Sequence, residues 1–581
     1  MKKIIAILPL AFPILYSCGS RSPSNSTLDE SPDSANVREQ FGLKVALSYD
    51  DLKRNQRISL EEIPWSDTYW PLTNKEMAAR WQDVGERSTD TVGLANYLET
   101  FLAESAKKIP DPNLSPGEKY DIVYQQRFKT SSSSDAIKSI IGQIQKTDQE
   151  IAGLTTIPEK KRKLQEMIPA LESTEISKAI PMTSIGWSNF LTYSSSNNYK
   201  FLGTDDTSSD AEDWGWMGIC HGWAAAAVME KAPKHSVMAT INEKEVLFTE
   251  GDIRGLLSKA WAQEAPYNKN YFLGRRCNKD VANTNAPIPA NSKGKGFAGT
   301  IKFNGNETSF TIVETLLDLP VNGPNDRAEV YKISLDGTNE SLFVFSKWQQ
   351  YYASSTYKGL IEYMRRGRSD KVKKIESLEF TGCWDVNPAS FHEVLVEQLA
   401  VRKVGFVMDR TRNGQVWNQP VYAVEFDIGD LKPVGSVADV AAEYRASGTK
   451  YVAEVKALVR WIAEPYDAQQ VYESNFDLSQ SQKTNYRYTL EFDSNKRIIG
   501  GEWGSLSKMD PAGQAPDFIY GYEKDAKPVD NISIQANSVS LDYSGIIGKI
   551  HECSLASTTD GATTVNGEEI KYSRCSISTI P

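Results

Sequence analysis

The run Trp214-Gly215-Trp216-Met217-Gly218-Ile219-Cys220-His221-Gly222-Trp223-Ala224-Ala225-Ala226-Ala227-Val228-Met229 reads as a tight loop feeding a helix. Gly215, Gly218 and Gly222 let the backbone turn and approach a neighbour closely. The alanines are the strongest helix formers, and their small side chains allow the helix to be buried. Cys220 stands at the expected helix start, where unpaired N–H groups and the positive end of the dipole favour a thiolate. The same N–H groups suit the oxyanion of a tetrahedral intermediate. The competing reading is a buried, inert cysteine in a packing helix. The Gly- and Trp-rich setting favours a nucleophile.

Working outward from Cys220, the next chemical stretch is Thr381-Gly382-Cys383-Trp384-Asp385-Val386-Asn387-Pro388-Ala389-Ser390-Phe391-His392-Glu393. A helix follows it with Phe391, Leu395 and Leu399 on one face. Then come a strand from Val404 to Met408, a turn at Arg412-Asn413-Gly414, and a second strand opening with Val416-Trp417-Asn418-Gln419-Pro420-Val421. A cysteine nucleophile normally works with an imidazole that takes its proton. The chain has four histidines. His221 is the sequence neighbour of Cys220 and would point away from it on a helix. His235 reads as a loop residue and His551 lies in a C-terminal tail. Elimination leaves His392 as the expected base, against the plainer reading that it only packs or hydrogen-bonds at its helix start. Asp385, Asp409 and Asn418 are the candidates for the residue that orients it. Trp214, Trp216, Trp223 and Trp417 are candidate walls of a narrow, dry channel, although core packing is the commoner fate of a tryptophan.

Upstream, residues 1–18 read as a targeting segment: Lys2 and Lys3, an apolar core from Ile4 to Leu15 too short to span a membrane, then Leu15-Tyr16-Ser17-Cys18. That last run resembles a bacterial lipobox with Cys18 as the lipidated residue, although Tyr16 is larger than usual there; an ordinary secretory signal is the alternative. Residues 19–45 form a Ser-, Pro- and Asp-rich tether. Asp51, Asn55, Ile58 and Glu62 have a faint calcium-loop spacing, but Lys53 sits where a ligand is needed, and we read the match as decayed or accidental. The aromatic cluster between Pro64 and Pro71 reads as a packing plug. Leu94, Tyr97, Leu98 and Leu102 carry helical spacing. Ser115-Pro116-Gly117-Glu118 is a helix start with a capping box. Residues 135–178 read as a charged helical hairpin. From 181 to about 525 strands and Gly turns are expected to alternate with short helices, one at Ile253–Ala262 with Asp252 as N-cap. Residues 299–347 read as strands. The 581 residues allow about three or four domains. The net charge of −10 and the lack of a basic cluster exclude nucleic acid as a partner.

Three stretches taken together resemble the elicitor-type transglutaminases, which plant pathogens secrete and which have relatives in marine bacteria. They are Gly218-Ile219-Cys220-His221-Gly222-Trp223, Asp385-Val386-Asn387-Pro388-Ala389-Ser390-Phe391-His392, and Val416-Trp417-Asn418-Gln419-Pro420-Val421. Ile499-Gly500-Gly501-Glu502-Trp503 and Pro516-Asp517-Phe518 are also similar to that family. The resemblance runs from about Pro64 to Tyr520. It implies a catalytic core like that of papain-like cysteine proteases, calcium dependence, and cross-linking of glutamine to lysine through a Cys220 thioester. It makes Cys220 the match to the nucleophile and His392 the best match to the base, and it assigns no calcium ligand.

Setting aside Cys18 and Cys220, four cysteines remain. Cys277 and Cys383 lie in family-like stretches, and Cys553 and Cys575 flank a Ser/Thr/Gly-rich loop. Pairing Cys277 with Cys383 and Cys553 with Cys575 suits an oxidising compartment; other pairings stay open. The expectation is an α+β protein: a papain-like core over 181–525, a helical region over 46–180 and a β-rich C-terminal part with an extension at 526–581. It is anchored in a bacterial envelope by lipid, or secreted, and acts on protein glutamine and lysine side chains. A papain-like peptidase or amidase, and an inactive surface-anchored relative, are the alternatives.

Overall fold

The computed structural model of the chain describes residues 47–81, 93–130, 133–196, 217–274, 298–303, 306–320, 327–335, 341–345, 377–380, 386–410, 416–434, 446, 448–465, 467–503, 516, 518–532 and 541–580. The targeting segment with Cys18, Asp385, Trp214, Trp216, the 412–414 turn and the Cys277–Cys383 pair lie outside them.

The fold is α+β. Its centre is a largely antiparallel sheet of nine strands, and seven of these run in the order 498–503, 481–492, 451–462, 418–428, 406–409, 518–522, 270–274. Side chains alternate between the faces of a strand, so each face has its own partner. Phe406, Met408, Val421, Val424, Phe426 and Ile519 belong to the core shared with helix Pro388–Val396. Val407, Phe518 and Tyr520 belong to the core shared with helix Cys220–Met229. Val421 and Val424 share a face although they are three residues apart, because the ladder carries a bulge between Val421 and Ala423.

Helix Cys220–Met229 lies between this sheet and helix Glu250–Glu264. The second helix begins with a capping box in which Thr249 is the N-cap and Asp252 is the N3 acid. Asp252 was expected as the cap; the apolar spacing reaches Ile253, but the polar turn before it is already helical. The Ser115 capping box forms as read, on helix Pro116–Phe128. Helices Ser133–Ala152 and Ile157–Leu171 form the expected charged hairpin.

Two boundaries differ from the reading. Residues 181–196 form one helix and not strands and turns. Its first N–H groups, on Met182 and Thr183, are capped by the distant Asp121 carboxylate at 2.9 Å each. The N-terminal helices also share one continuous core with the cysteine helix, through Phe101, Tyr120, Trp187 and Trp223. Buried ion pairs Lys119–Asp252 and Lys259–Glu76 join the same parts.

The C-terminal segment is no tail. Strand Glu568–Ser576 pairs in parallel with Ser236–Ile241, just after the cysteine helix. The expected Cys553–Cys575 disulfide is present, with Cα atoms 5.8 Å apart. A third sheet, antiparallel, has the order 341–345, 327–335, 306–320, 298–303, 377–380. Among the described residues no helix is long and apolar enough to cross a membrane.

Candidate active site

Cys220 is the first residue of its helix and is 1% exposed. Two glycines place it. A Cβ on Gly218 would fall 2.2 Å from the Tyr69 carbonyl oxygen, so only glycine lets the loop lie under that segment. A Cβ on Gly222 would fall 2.2 Å from the Ser258 carbonyl oxygen, so glycine sets the close approach of the two helices. The Ile219 N–H donates to the Tyr69 carbonyl at 2.8 Å. The aromatic plug from Pro64 to Pro71 is thus the cover of the cysteine loop, with Trp65, Tyr69 and Trp70 buried. Trp223 is fully buried and donates to the Trp65 carbonyl at 3.3 Å, so it is core and not a channel wall.

On the sheet side, Asn418 Nδ2 donates to Cys220 Sγ at 3.2 Å. Sγ also lies 3.8 Å from the Val416 carbonyl oxygen. Asp409 faces Asn418 across the ladder and is fully buried, as is Asn418 at 1% exposure. Directly opposed side chains of paired strands stand about 4.5–5.5 Å apart at Cβ, which brings the Asp409 carboxylate to the same site. The Trp417 N–H donates to Asp409 Oδ1 at 3.5 Å, and the half-buried Trp417 ring meets Tyr69 edge to face at 5.6 Å. A helix start and an amide donor both favour negative charge on the sulfur. The arrangement suits a thiolate nucleophile at a helix start, in a loop covered by the Pro64–Pro71 segment.

The expectation that His392 meets Cys220 is corrected. His392 is the fifth residue of helix Pro388–Val396, on the opposite face of the sheet. Its ring stacks on Phe426 at 4.2 Å, and its Nδ1 bonds the Tyr488 hydroxyl at 2.7 Å. Phe426 is eight residues along the strand from Asn418, on the order of 25 Å at the usual rise. Burial pushes the imidazole down to about 3, which makes it a weak base.

The other imidazoles are placed elsewhere. The His221 ring turns to helix Glu250–Glu264 near Ala262 and Lys259, and burial pushes it down to about 4. His551 is buried in helix Gly548–Ser554, and its Nε2 donates to the Lys231 carbonyl at 2.8 Å, beyond the far end of the cysteine helix. His235 sits in the loop that follows that helix.

The calcium-like spacing does not converge. Asp51 is the N3 acid of a helix capped by Ser48, and Glu62 pairs with Lys231. Among the described residues no group of three His, Cys, Asp or Glu side chains stands ready to hold a metal ion.

Comparison with known proteins bears out the resemblance. The transglutaminase elicitor family's model matches residues 204–286 and 366–554, with Cys220 in the first segment and Asp409 and Asn418 in the second. The unmatched stretch between them, 287–365, holds four of the five strands of the third sheet. No curated protein matches the chain. The crystal structure of the GP42 transglutaminase from Phytophthora sojae aligns with a TM-score of 0.44 and 17% identity, over 89% of this chain and 96% of that one.

Proposed function

We propose that the chain is an acyltransferase of the transglutaminase type, acting on glutamine side chains through Cys220. The carrying observation is the Asn418 Nδ2 to Cys220 Sγ hydrogen bond at the helix start, which joins the two segments that match the family. In this reading the thiolate attacks the carboxamide carbon, the C–N bond breaks, and ammonia leaves with the proton first held by the thiol. A lysine amine then attacks the thioester, loses its proton and restores the thiol. Asp409, across the ladder from Asn418, is the side chain this reading uses to carry the proton, in the place expected of His392.

The cover over Cys220 favours transfer over peptide cleavage. A peptidase has to lay an extended backbone across its nucleophile, whereas a glutamine or lysine side chain enters end-on through a narrow opening. Cys220 is 1% exposed, and the Tyr69 segment, packed against Trp417, holds the preceding Ile219. We further propose, from residues 1–18 alone, that the chain is exported and held at the envelope through Cys18, where protein substrates meet it.

The test incubates the chain without its first 18 residues with a glutamine donor peptide and a fluorescent primary amine, with and without calcium, against Cys220→Ala. Amine incorporation lost in the variant supports the reading. Backbone cleavage without incorporation moves it to a peptidase. No turnover, with Cys220 unreactive to alkylation, leaves an inert surface protein.

A further inference from the structure

Asn418 has a second polar atom that none of the described residues satisfies. Asn418 is 1% exposed, and Nδ2 is committed to the sulfur, yet Oδ1 has no hydrogen-bond partner among the described residues. A buried acceptor left unpaired is costly, and such atoms in native proteins call for an occupant. The atom's position narrows the choice. The two polar atoms of a planar carboxamide are about 2.3 Å apart by standard amide bond lengths. With Nδ2 at 3.2 Å from Sγ, Oδ1 therefore lies within about 5.5 Å of the nucleophile. A substrate nitrogen beside the attacked carbon falls within hydrogen-bond reach of such a site. Oδ1 can only accept, so the partner it calls for is a donor, and beside an attacked carboxamide carbon that donor is an N–H.

We propose that Asn418 Oδ1 accepts a hydrogen bond from the nitrogen of the substrate's primary carboxamide, and so makes Asn418 the residue that selects glutamine over an ester or acid of the same shape. This rests on the acyl-transfer reading above. One amide then does two things at once: its N–H steadies the thiolate and its oxygen holds the group that will leave. The incoming lysine amine also carries N–H donors and takes the same place in the second half of the reaction. Water bound there offers the same donors but none of the contacts of a long alkyl chain.

The test uses the full chain in mild detergent and two matched probes: a glutamine peptide, followed by ammonia release, and the γ-methyl ester of the corresponding glutamyl peptide, followed by methanol release. The readout is the ratio of kcat/KM for carboxamide to ester. In Asn418→Ala the ratio is expected to fall by about 10- to 100-fold, the usual effect of leaving one buried hydrogen-bonding group unpaired. Asn418→Asp keeps an acceptor oxygen and loses the donor. Both rates should fall because an anion faces the sulfur, while the ratio stays within about threefold of wild type.

An unchanged ratio in Asn418→Ala overturns the assignment and leaves Asn418 serving the sulfur alone. If Asn418→Ala does not fold, a collapse of the ratio in Asn418→Asp overturns it instead. A wild-type chain that takes the ester on Cys220 and never the carboxamide sinks the transferase reading itself, so the two failures are distinct.

Discussion

The two faces of the large sheet each carry a buried helix with a candidate catalytic side chain, and they differ in where on the helix that side chain stands. Cys220 is the first residue of its helix and meets the end of a strand, where Asn418 still has an acceptor to offer. His392 is in mid-helix and meets the middle of the sheet, sealed by Phe426 and Tyr488. Burial is common to both. Each site also has a buried polar atom without a partner among the described residues, Asn418 Oδ1 on one face and His392 Nε2 on the other. The difference is that a helix start adds unpaired N–H groups that a substrate can use, whereas a mid-helix position has its backbone groups already paired.

The contrast breaks most easily at Cys220. Cys220→Ala should abolish amine incorporation while the far-UV spectrum stays native. Asp409→Asn should lower the rate of amine transfer by about 10²- to 10³-fold, as loss of a positioned proton carrier does. His392→Phe should change the same rate by less than about threefold, measured in parallel. A loss of about 10²-fold or more there would restore His392 as the base and undo the comparison between the faces.

Smaller effects sharpen it through stability. Glu230 follows the far end of the cysteine helix and accepts from the Tyr543 hydroxyl at 2.7 Å and Lys527 at 2.6 Å, which ties that end to the C-terminal segment. Reducing Cys553–Cys575, or replacing both cysteines by alanine, should destabilise the fold by about 2–4 kcal/mol in urea unfolding, with the active chain still formed at 25 °C.

The smallest effect is the pH response of the sealed face. The His392 pKa is depressed from its ordinary value of about 6.5 to about 3 in the folded chain. Its contribution is therefore fully present above about pH 6.5 and is lost as pH falls towards 3, because the unfolded imidazole takes up a proton that the folded one refuses. Between pH 7 and 5 this amounts to about 2 kcal/mol by linkage. Urea unfolding at the two pH values should show His392→Phe losing less than wild type over that interval.

Much of the nucleophile side was legible in the chain. A Gly-rich loop running into an alanine helix announces a cysteine at a helix start, and both the Ser115 capping box and the Cys553–Cys575 bridge lie within short windows of sequence. The reading lost its hold where the partner was distant. Helix Pro181–Ser196 has no local cap because Asp121 supplies it from sixty-one residues upstream of Met182. His551 looked like part of a tail because the parallel pairing of 568–576 with 236–241 spans more than three hundred residues.

Elimination among four histidines rested on an assumption that the base is an imidazole. Asp409 is one of the candidate orienting residues, and its place opposite Asn418 in the ladder sets it on the same face of the sheet as that side chain.

By itself, then, the sequence carried the resemblance to the transglutaminase elicitor family, the cysteine at a helix start, the α+β character and the local caps, because each is written in neighbouring residues or in short motifs. The tertiary structure alone decided which side chains share a face with Cys220. Helix Pro388–Val396 docks on the other side of the sheet, and a single bulge at Val421/Ala423 sets the parity by which Phe426 points towards His392 while Asn418 points towards the sulfur. One residue more or less in a strand exchanges its faces, and no local window of sequence records that choice.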